Sequence, residues 1–326
     1  MIAPKRERGH LNLVKRGHYD FALSRLSRVL TVAGQTLILP AMATSTSYLT
    51  APLRDLEAWT RYFRDAQIPV LAKTALALEA LRADEDNVDA SRLGSTIECD
   101  PLMSLKLLAH VASKRRANSD SDAVTEIESI TTSLVMTGIT PFFTSFGLQP
   151  TVEDHLHDQA EALEGLRALL HRADRAAQFA AGFAVHRSDT DADVIRLAAF
   201  LHDFAEMLMW CHAPTLQLRI AQEQRADPTL RSAAVQHATL NIELDDLRQA
   251  LMKLWHLPEL LVRISDDRHA DTAMVRNVVL AVRLARHTTQ GWDNAAVPDD
   301  IEDLAKLLNV TPPVALAYAR RIESAA

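Results

Sequence analysis

Two adjacent polar side chains, His202 and Asp203, stand in the middle of an apolar stretch of this sequence. A neutral imidazole and a carboxylate form a ligand pair that suits Fe, Mn, Zn and similar ions. Neighbouring residues of a helix point about 100° apart, but a metal at the helix edge is within reach of both. Since buried polar groups need partners, the pair indicates either a metal site or a locally hydrogen-bonded core.

The surroundings of this pair distinguish it from a chance occurrence. With 13 His in the chain, roughly one His-Asp pair is expected by chance, and a second pair does occur at His157-Asp158. That second pair lies in an acidic stretch, residues 152–164, and is predicted to be solvated surface. His171, on the preceding predicted helix, is a third candidate ligand, because two antiparallel helices would bring it over His202 and Asp203.

The elements that must position these residues are predicted to be helices. Nine Gly and 5% aromatic residues argue against a turn-rich β-fold. Residues 161–183 have the pattern of one long helix, and residues 194–210, apolar on nearly all sides, predict a central core helix. One short β-hairpin is predicted over Arg28–Leu39, turning at Ala33-Gly34. The predicted fold class is therefore all-α with one hairpin near the amino terminus.

Length and charge narrow the functional classes. The 326 residues are enough for about two domains or one large one. Because 42 Asp and Glu outweigh 35 Lys and Arg, the net charge is −7, which disfavours nucleic acid and anionic lipid as partners. A basic cluster at the amino terminus, residues 5–16, leaves open a regulator that touches nucleic acid through that end.

The expected location is the cytoplasm. Only Cys99 and Cys211 are present, so no disulfide framework or thiolate zinc cluster can form, as is usual in a reducing compartment. The uncharged stretch Val29–Pro52 begins too late for a signal peptide, and Gly34 and Pro40 interrupt it too often for a spanning helix. No membrane association is predicted.

Several short motifs are spread over this sequence: Ile68-Pro69, Ile97-Glu-Cys-Asp-Pro101, the run Leu105 to Leu108, Ile127-Glu-Ser-Ile130, His171, Ala198-Ala-Phe-Leu-His-Asp203 and Trp255-His-Leu-Pro258. By the order and spacing of these motifs, the chain from about Ile68 to Gln290 resembles the HDOD domain, the non-catalytic signalling relative of HD-type phosphohydrolases. The resemblance implies an all-α fold of two packed helical subdomains and no known ligand.

Three parts are predicted along the chain: an extension without resemblance (1–65), an HDOD domain (66–290) and carboxy-terminal helices (291–326). The HDOD domain is divided into an amino-terminal helical subdomain (66–150) and an HD-like subdomain (151–290).

Departures from the catalytic HD pattern weaken the predicted metal site. Where catalytic relatives carry Ile-Gly-Lys after His-Asp, this chain has Phe204-Ala-Glu206, which places an anion where a phosphate would need a cation. The family's histidine before the Trp falls at Leu244, its His-His pair becomes Arg268-His269, and its late Ala-Asp becomes Ala281-Val282 or Ala285-Arg286. The residues that remain are enough for at most a single, incomplete metal site: His171, His202, Asp203 and His269. The favoured interpretation is that His202 and Asp203 are hydrogen-bonded core residues retained with the fold.

Glu206 lies four residues beyond His202, on the same helix face. We therefore expect its carboxylate to bond the His202 imidazole or to raise the pKa of His202.

The first functional hypothesis is a bacterial, cytoplasmic signal-transduction module that binds a partner protein or a small ligand and has no chemistry of its own. It needs no cofactor, although one divalent metal fits the incomplete site. The alternative is a metal-dependent HD-type phosphohydrolase acting on nucleotides or cyclic dinucleotides, with its metal at His171, His202 and Asp203. The partner's identity and the oligomeric state are left open by the sequence.

Overall fold

The helical prediction is confirmed over the residues that the structure describes. A computed structural model gives backbone and side chains for residues 47–116, 129–227 and 229–325, and backbone alone for 28–32, 35–39 and 117–118. The helices of the first half are α1 (Leu56–Asp65), α2 (Ala72–Arg82), α3 (Ala90–Ile97), α4 (Pro101–Asn118), α5 (Ile130–Thr137), α6 (Ile139–Ser145) and α7 (Val152–His155). Those of the second half are α8 (Ala160–Arg187), α9 (Ala192–Leu201), α10 (Phe204–His212), α11 (Pro214–Ala226), α12 (Ser232–Leu240), α13 (Leu244–Leu254), α14 (Glu259–Ile264), α15 (Ala273–His287), α16 (Val297–Leu308) and α17 (Pro312–Ala325). Two 3₁₀ helices, Glu85–Asn87 and Asp267–His269, complete the set.

Residues 1–44 form a unit of their own, in which only two segments of backbone are described. Strand β1 (Arg28–Val32) pairs antiparallel with β2 (Gln35–Leu39), with Arg28 opposite Leu39. The predicted hairpin stays a prediction, because its turn residues, Ala33 and Gly34, lie outside the described residues. The basic cluster at residues 5–16 lies outside them too.

Asp100 shows how the sequence sets the start of α4. Pro101 is the first helical residue, where a missing N–H is tolerated, and Asp100 Oδ1 accepts from the backbone N–H of Leu102 at 2.9 Å. The other carboxylate oxygen accepts from the N–H of Leu71 at 2.8 Å, just before α2. One buried side chain therefore begins α4 and fixes α2 against it.

Helix α8 is the centre of the second half. It packs against α9, α10, α11, α15, α16 and α17, and its face toward them buries Phe179 and Phe183. It ends at Arg187, and the left-handed conformation of the following Ser188 (φ 58°) lets the backbone N–H of Asp189 bond the carbonyl of Ala184 at 3.0 Å. A single long helix thus carries Arg172 and holds the elements around the His-Asp pair in place.

The central helix predicted over residues 194–210 is wrong in one respect, because it is broken. α9 ends at Leu201 and α10 begins at Phe204, so His202 and Asp203 form the turn between two helices. Asp203 has φ −98° and ψ 21°, which is outside the helical range and brings the two neighbouring side chains to the same side. The break is therefore the local reason that His202 and Asp203 can contact each other.

The segment before the second helix packs onto the second half of the helices. The backbone N–H of Leu49 donates to the carbonyl of His212 at 2.8 Å, and the indole of Trp59 donates to the carbonyl of Leu240 at 2.9 Å. Trp59 is fully buried. Residues 45–326 form one compact unit, so α1 belongs to the helical body although the predicted domain boundary falls after residue 65.

The last helices are fixed by a buried arginine of α8. Arg175 donates to the carbonyl of Ala285 at 3.0 Å, to Thr288 Oγ1 at 2.6 Å and to Glu323 Oε1 at 2.5 Å. These bonds join α8 to the end of α15 and to α17.

Among the described residues, none of the helices combines the length and the hydropathy that crossing a bilayer requires.

Gly165→Ala is expected to lower the free energy of unfolding by about 1–2 kcal/mol, the net of overpacking and improved helix propensity. A Cβ at position 165 of α8 would lie 2.7 Å from Cζ2 of Trp210 on α10, and that indole is buried. Gly147→Ala is the matched control, because a Cβ there meets nothing within 4 Å. Urea unfolding of the two variants measures the difference. Equal stabilities would contradict the close approach of α8 and α10.

Candidate functional site

The His202-Asp203 turn lies inside the helical body. His202 is 5% exposed, and its Nδ1–H donates to Asp203 Oδ1 at 2.8 Å. The Asp203 side chain is 11% exposed. Such burial is tolerated only when the remaining polar atoms of both side chains are paired as well.

Arg172 of α8 supplies the cation that faces Asp203. Its Nε and Nη2 donate to Asp203 Oδ2 at 3.3 and 3.0 Å, and Nη2 also donates to Glu206 Oε2 at 3.1 Å. The other oxygen of Glu206 accepts from Gln217 Nε2 of α11 at 3.2 Å. The prediction that Glu206 bonds the His202 imidazole is therefore wrong: the break after α9 turns Glu206 toward α8 and α11.

Asp267 and Arg248 surround the opposite nitrogen of His202. Asp267, in the 3₁₀ helix, places Oδ2 3.0 Å from His202 Nε2. Arg248 of α13 places Nη1 2.8 Å from the same nitrogen and 3.1 Å from the His202 carbonyl oxygen, to which it donates. Arg248 Nη2 lies 3.4 Å from Asp267 Oδ1.

We call these six residues the ion-pair cluster: Glu206, Arg172, Asp203, His202, Asp267 and Arg248. In the order given, carboxylates alternate with basic groups, and one contact joins two basic groups, Arg248 Nη1 and His202 Nε2 at 2.8 Å. Three carboxylates balance two guanidinium groups and one imidazolium, so the cluster is neutral when His202 is protonated. Alternation of this kind compensates the loss of solvation that buried charges suffer.

The pKa values of the cluster follow from this balance. Burial and the Arg248 guanidinium lower the pKa of His202, but its hydrogen bonds with Asp203 and Asp267 outweigh them and raise it above 6.5. Burial raises the pKa of Asp203, but the Arg172 guanidinium and the His202 bond more than reverse this and hold it well below 3.8. The pKa of Asp267 is also lowered: burial opposes the shift, and the bond with His202 drives it.

The proton on His202 Nε2 decides which neighbour that nitrogen bonds. With the proton, Nε2–H donates to Asp267; without it, the bare nitrogen accepts from Arg248 Nη1. Because the pKa of His202 is raised, the protonated form of the ring prevails over a wider pH range than it would in an ordinary histidine. The ring is then a donor at both nitrogens.

An NMR titration of the His202 ring is expected to give a pKa above 6.5, and Asp267→Asn is expected to lower it. The carboxylate of Asp267 favours the imidazolium, and its removal takes that contribution away. Since the folded pKa is raised, His202 stabilises the fold fully below pH 6.5, and this contribution is lost as the pH rises through the folded pKa. Asp158→Asn, an exposed carboxylate in the second His-Asp pair, is the control. A His202 pKa at or below 6.5 would contradict the pairing.

The structure places the other two predicted ligands at the surface. His171 is exposed on α8, whereas its neighbour Arg172 faces Asp203. His269 is exposed and bonds Asp266 Oδ2 through Nδ1 at 2.9 Å, whereas its near neighbour Asp267 faces His202. The structure thus brings together His202 and Asp203 but gives neither of them a bond to His171 or His269.

The cluster does not fit a divalent metal as it stands. Asp203 uses Oδ1 for His202 and Oδ2 for Arg172, while Nε2 of His202 lies between Asp267 and Arg248. A metal needs ligand atoms with free lone pairs, and here those atoms already face protons. Within the described ranges, no group of three or more His, Cys, Asp or Glu side chains is arranged to hold a metal ion.

Three residues of the cluster were missed from the sequence: Arg172, Arg248 and Asp267. A signal existed for Arg248, because it lies four residues after Leu244 and therefore on the same face of α13. Leu244 is the position at which the resemblance placed a family histidine. Arg172, next to His171, and Asp267, two residues before His269, gave no comparable signal, since a charged residue near a histidine is unremarkable in a charged sequence.

The fold and this site define an all-α protein. Its His-Asp turn lies where five elements meet: α8, α9, α10, α13 and the 3₁₀ helix Asp267–His269. A model of the HDOD domain matches residues 68–270, and the chain belongs to the HDOD domain family. The resemblance to the HDOD domain is thereby confirmed. No curated protein sequence matches the chain.

Solved structures match the chain at low identity, and two of those that match with TM-scores above 0.5 share its fold. The MmoQ response regulator of Methylococcus capsulatus str. Bath is 18% identical, with a TM-score of 0.55 and coverage of 74% of this chain and 98% of that one. A virulence factor of Campylobacter jejuni subsp. jejuni is 14% identical, with a TM-score of 0.56 and coverage of 82% and 96%. An HDOD domain protein of unknown function from Geobacter sulfurreducens is 14% identical, with a TM-score of 0.44 and coverage of 82% and 97%.

Proposed function

We propose that this chain is a non-enzymatic signal-transduction module that acts by binding a partner protein or a small regulatory ligand in the cytoplasm. The observation that supports this proposal is the internal pairing of the ion-pair cluster, in which every carboxylate contacts a basic group of the same cluster. A hydrolytic HD centre needs open metal ligands and an activated water. Side chains of the ion-pair cluster that neutralise one another are not free to bind a metal. Their role in this proposal is to hold together the five elements that carry them.

Membership of the HDOD family and the structural neighbours support the signalling role. MmoQ is a response regulator, and its fold resembles that of this chain over most of both proteins. A response regulator passes a signal through contacts with other molecules. We infer the same mode of action for this chain, with no cofactor and with a partner protein as the first candidate.

A hydrolysis assay tests the absence of catalysis. Purified wild type is incubated with bis-p-nitrophenyl phosphate, and separately with a cyclic dinucleotide, each with Mn²⁺ or Fe²⁺ supplied. We expect wild type, His202→Ala and the control His157→Ala to release product at the same background rate. A wild-type rate above background that only His202→Ala abolishes would instead establish the metal-dependent phosphohydrolase.

Affinity capture with the full chain tests the binding role. We expect a defined protein to be retained in stoichiometric amount, equally with and without EDTA, and to bind again when both proteins are purified separately. Failure to recover any partner or ligand, combined with measurable turnover in the hydrolysis assay, would overturn the proposal.

A further inference from the structure

Helix α1 contacts the helical body through aromatic side chains. Its buried residues are Trp59 and Phe63, one helical turn apart, and the helix packs against α13. The ion pair between Glu57 and Arg61 lies on its outer side, where the two side chains are 76% and 60% exposed. Such a division, with aromatic anchors inward and charges outward, is that of an amphipathic helix bound in an apolar groove of another protein.

The body surface under α1 lies between the carboxy-terminal ends of two helices, and we call it the α1 groove. It is lined by His212, the last residue of α10, and by Leu240, the last residue of α12. The last carbonyls of a helix have no partner inside that helix. The Leu240 carbonyl accepts from the Trp59 indole at 2.9 Å. The His212 carbonyl accepts from the backbone N–H of Leu49 at 2.8 Å. An occupant of this groove must therefore bring hydrogen-bond donors as well as apolar area.

The His212 ring sets the position of a further donor. Its Nε2–H donates to the carbonyl of Gln67 at 2.8 Å, so Nδ1 of the neutral ring is an acceptor. Burial lowers the pKa of His212 to about 4, which keeps the ring neutral near pH 7. The Tyr62 hydroxyl donates to Nδ1 at 3.1 Å, and the Phe63 ring lies edge-on to the imidazole with centroids 5.6 Å apart. The groove thus matches Trp, Tyr and Phe at positions i, i+3 and i+4 of one helix.

Helix α1 is stabilised by contacts within its own segment. Asp55 Oδ1 accepts from the backbone N–H of Ala58 at 2.9 Å and caps the helix, and the Glu57–Arg61 pair spans one turn. Residues 47–55 and 66–69, on either side of it, are not helical. The helix also precedes residues 68–270, which match the family. A self-capped helix between irregular segments can leave its groove as one unit.

We propose that the α1 groove is the surface on which this chain binds an amphipathic helix of its partner protein, and that α1 fills the groove as a built-in competitor. The helix it accepts carries Trp, Tyr and Phe at positions i, i+3 and i+4, as α1 does. The inference rests on the proposed function, for which it names the surface and the chemistry of the partner. Because α1 is tethered, its effective concentration is high, and a partner binds only as far as it displaces that helix.

Binding of the α1 sequence in trans tests the inference. The probe is a fluorescein-labelled peptide of residues 53–67, added to full-length wild type, Trp59→Ala and the matched control Glu57→Ala, with fluorescence anisotropy as the readout. We expect one equivalent on Trp59→Ala, at an affinity at least about 100-fold above that of wild type and Glu57→Ala, in which α1 still fills the groove. The peptide should raise the Tm of Trp59→Ala alone. A peptide that itself carries Trp59→Ala should bind none of the three proteins.

Several outcomes would overturn the inference. They are no binding of the peptide to Trp59→Ala, equal binding to wild type, and equal binding of the substituted peptide. If Trp59→Ala is recovered unfolded, return of helical circular dichroism on adding the peptide supports the inference, and its absence overturns it. A wild-type dimer in sedimentation equilibrium that becomes a monomer on Trp59→Ala would assign the groove to a second copy and overturn the partner assignment.

The inference and the proposed function fail separately. Wild-type turnover of a phosphodiester overturns the non-enzymatic role and leaves the peptide result as measured. A partner purified through affinity capture is expected to displace the peptide from Trp59→Ala. A partner that binds alongside the peptide overturns the inference and leaves the proposed function intact.

Discussion

Arg248→Ala is expected to lower the free energy of unfolding by about 3–5 kcal/mol in metal-free buffer. Arg248 is 2% exposed, donates to the buried His202 carbonyl at 3.1 Å and pairs with the partly exposed Asp267, so its removal leaves that carbonyl without this donor and Asp267 with one positive charge fewer. Removing one partner of a buried ion pair costs more stability than the intact pair contributes, because the other partner is left as an uncompensated charge. Denaturant unfolding followed by circular dichroism measures the loss.

The matched control is Arg219→Ala on α11. Arg219 pairs with Glu223 at 3.0 Å one helical turn away, but its side chain is 65% exposed. Solvent screens such a pair, and we expect a change below about 0.5 kcal/mol. Equal losses for the two variants would mean that the ion-pair cluster is no more important to the fold than a surface pair.

The same Arg248→Ala variant is expected to raise the pKa of His202. The guanidinium lowers that pKa through its positive charge, so removing it favours the imidazolium. An NMR titration measures the shift, to which water entering the vacated space contributes in the same direction, because burial also lowers the pKa of His202. Arg248→Lys, which keeps the charge, should shift it much less.

Trp59→Ala is expected to lower the free energy of unfolding by about 3–5 kcal/mol, the range for removing a large buried aromatic side chain. Trp59 is fully buried, stacks on Phe63 with ring centroids 5.9 Å apart, and bonds the carbonyl of Leu240 at 2.9 Å. Its helix, α1, lies outside residues 68–270 that match the family. The loss would show that the HDOD core of this chain depends on the segment that precedes it.

Two substitutions on the same helix separate the contributions of Trp59. Trp59→Phe keeps an aromatic ring but removes the indole N–H, so we expect a loss of about 1–3 kcal/mol from the unpaired carbonyl of Leu240 and the smaller ring. Glu57→Ala removes a side chain that is 76% exposed and should change stability by less than about 0.5 kcal/mol. A stable Trp59→Ala variant would mean that α1 is dispensable.

Much of the helical architecture could be predicted from the sequence. Asp100-Pro101 fixes the start of α4 because an acidic cap followed by proline satisfies a helix terminus locally. Apolar periodicity identified α8 because one face of a helix recurs at fixed spacing. The break between α9 and α10 escaped prediction, because residues on both sides of it are apolar and nothing in their types stops a helix.

The sequence by itself determined that His202 and Asp203 lie together in an apolar surrounding, and it predicted that Leu244 and Glu206 replace groups of the catalytic HD pattern. Only the tertiary structure decided what compensates them: Arg172, 31 residues before Asp203, and Arg248, 46 residues after His202. Bonds over such separations depend on how α8 and α13 pack around the turn. Spacing along the chain constrains contacts within one helix, whereas the charge that a buried group meets is set by whichever helix lies against it.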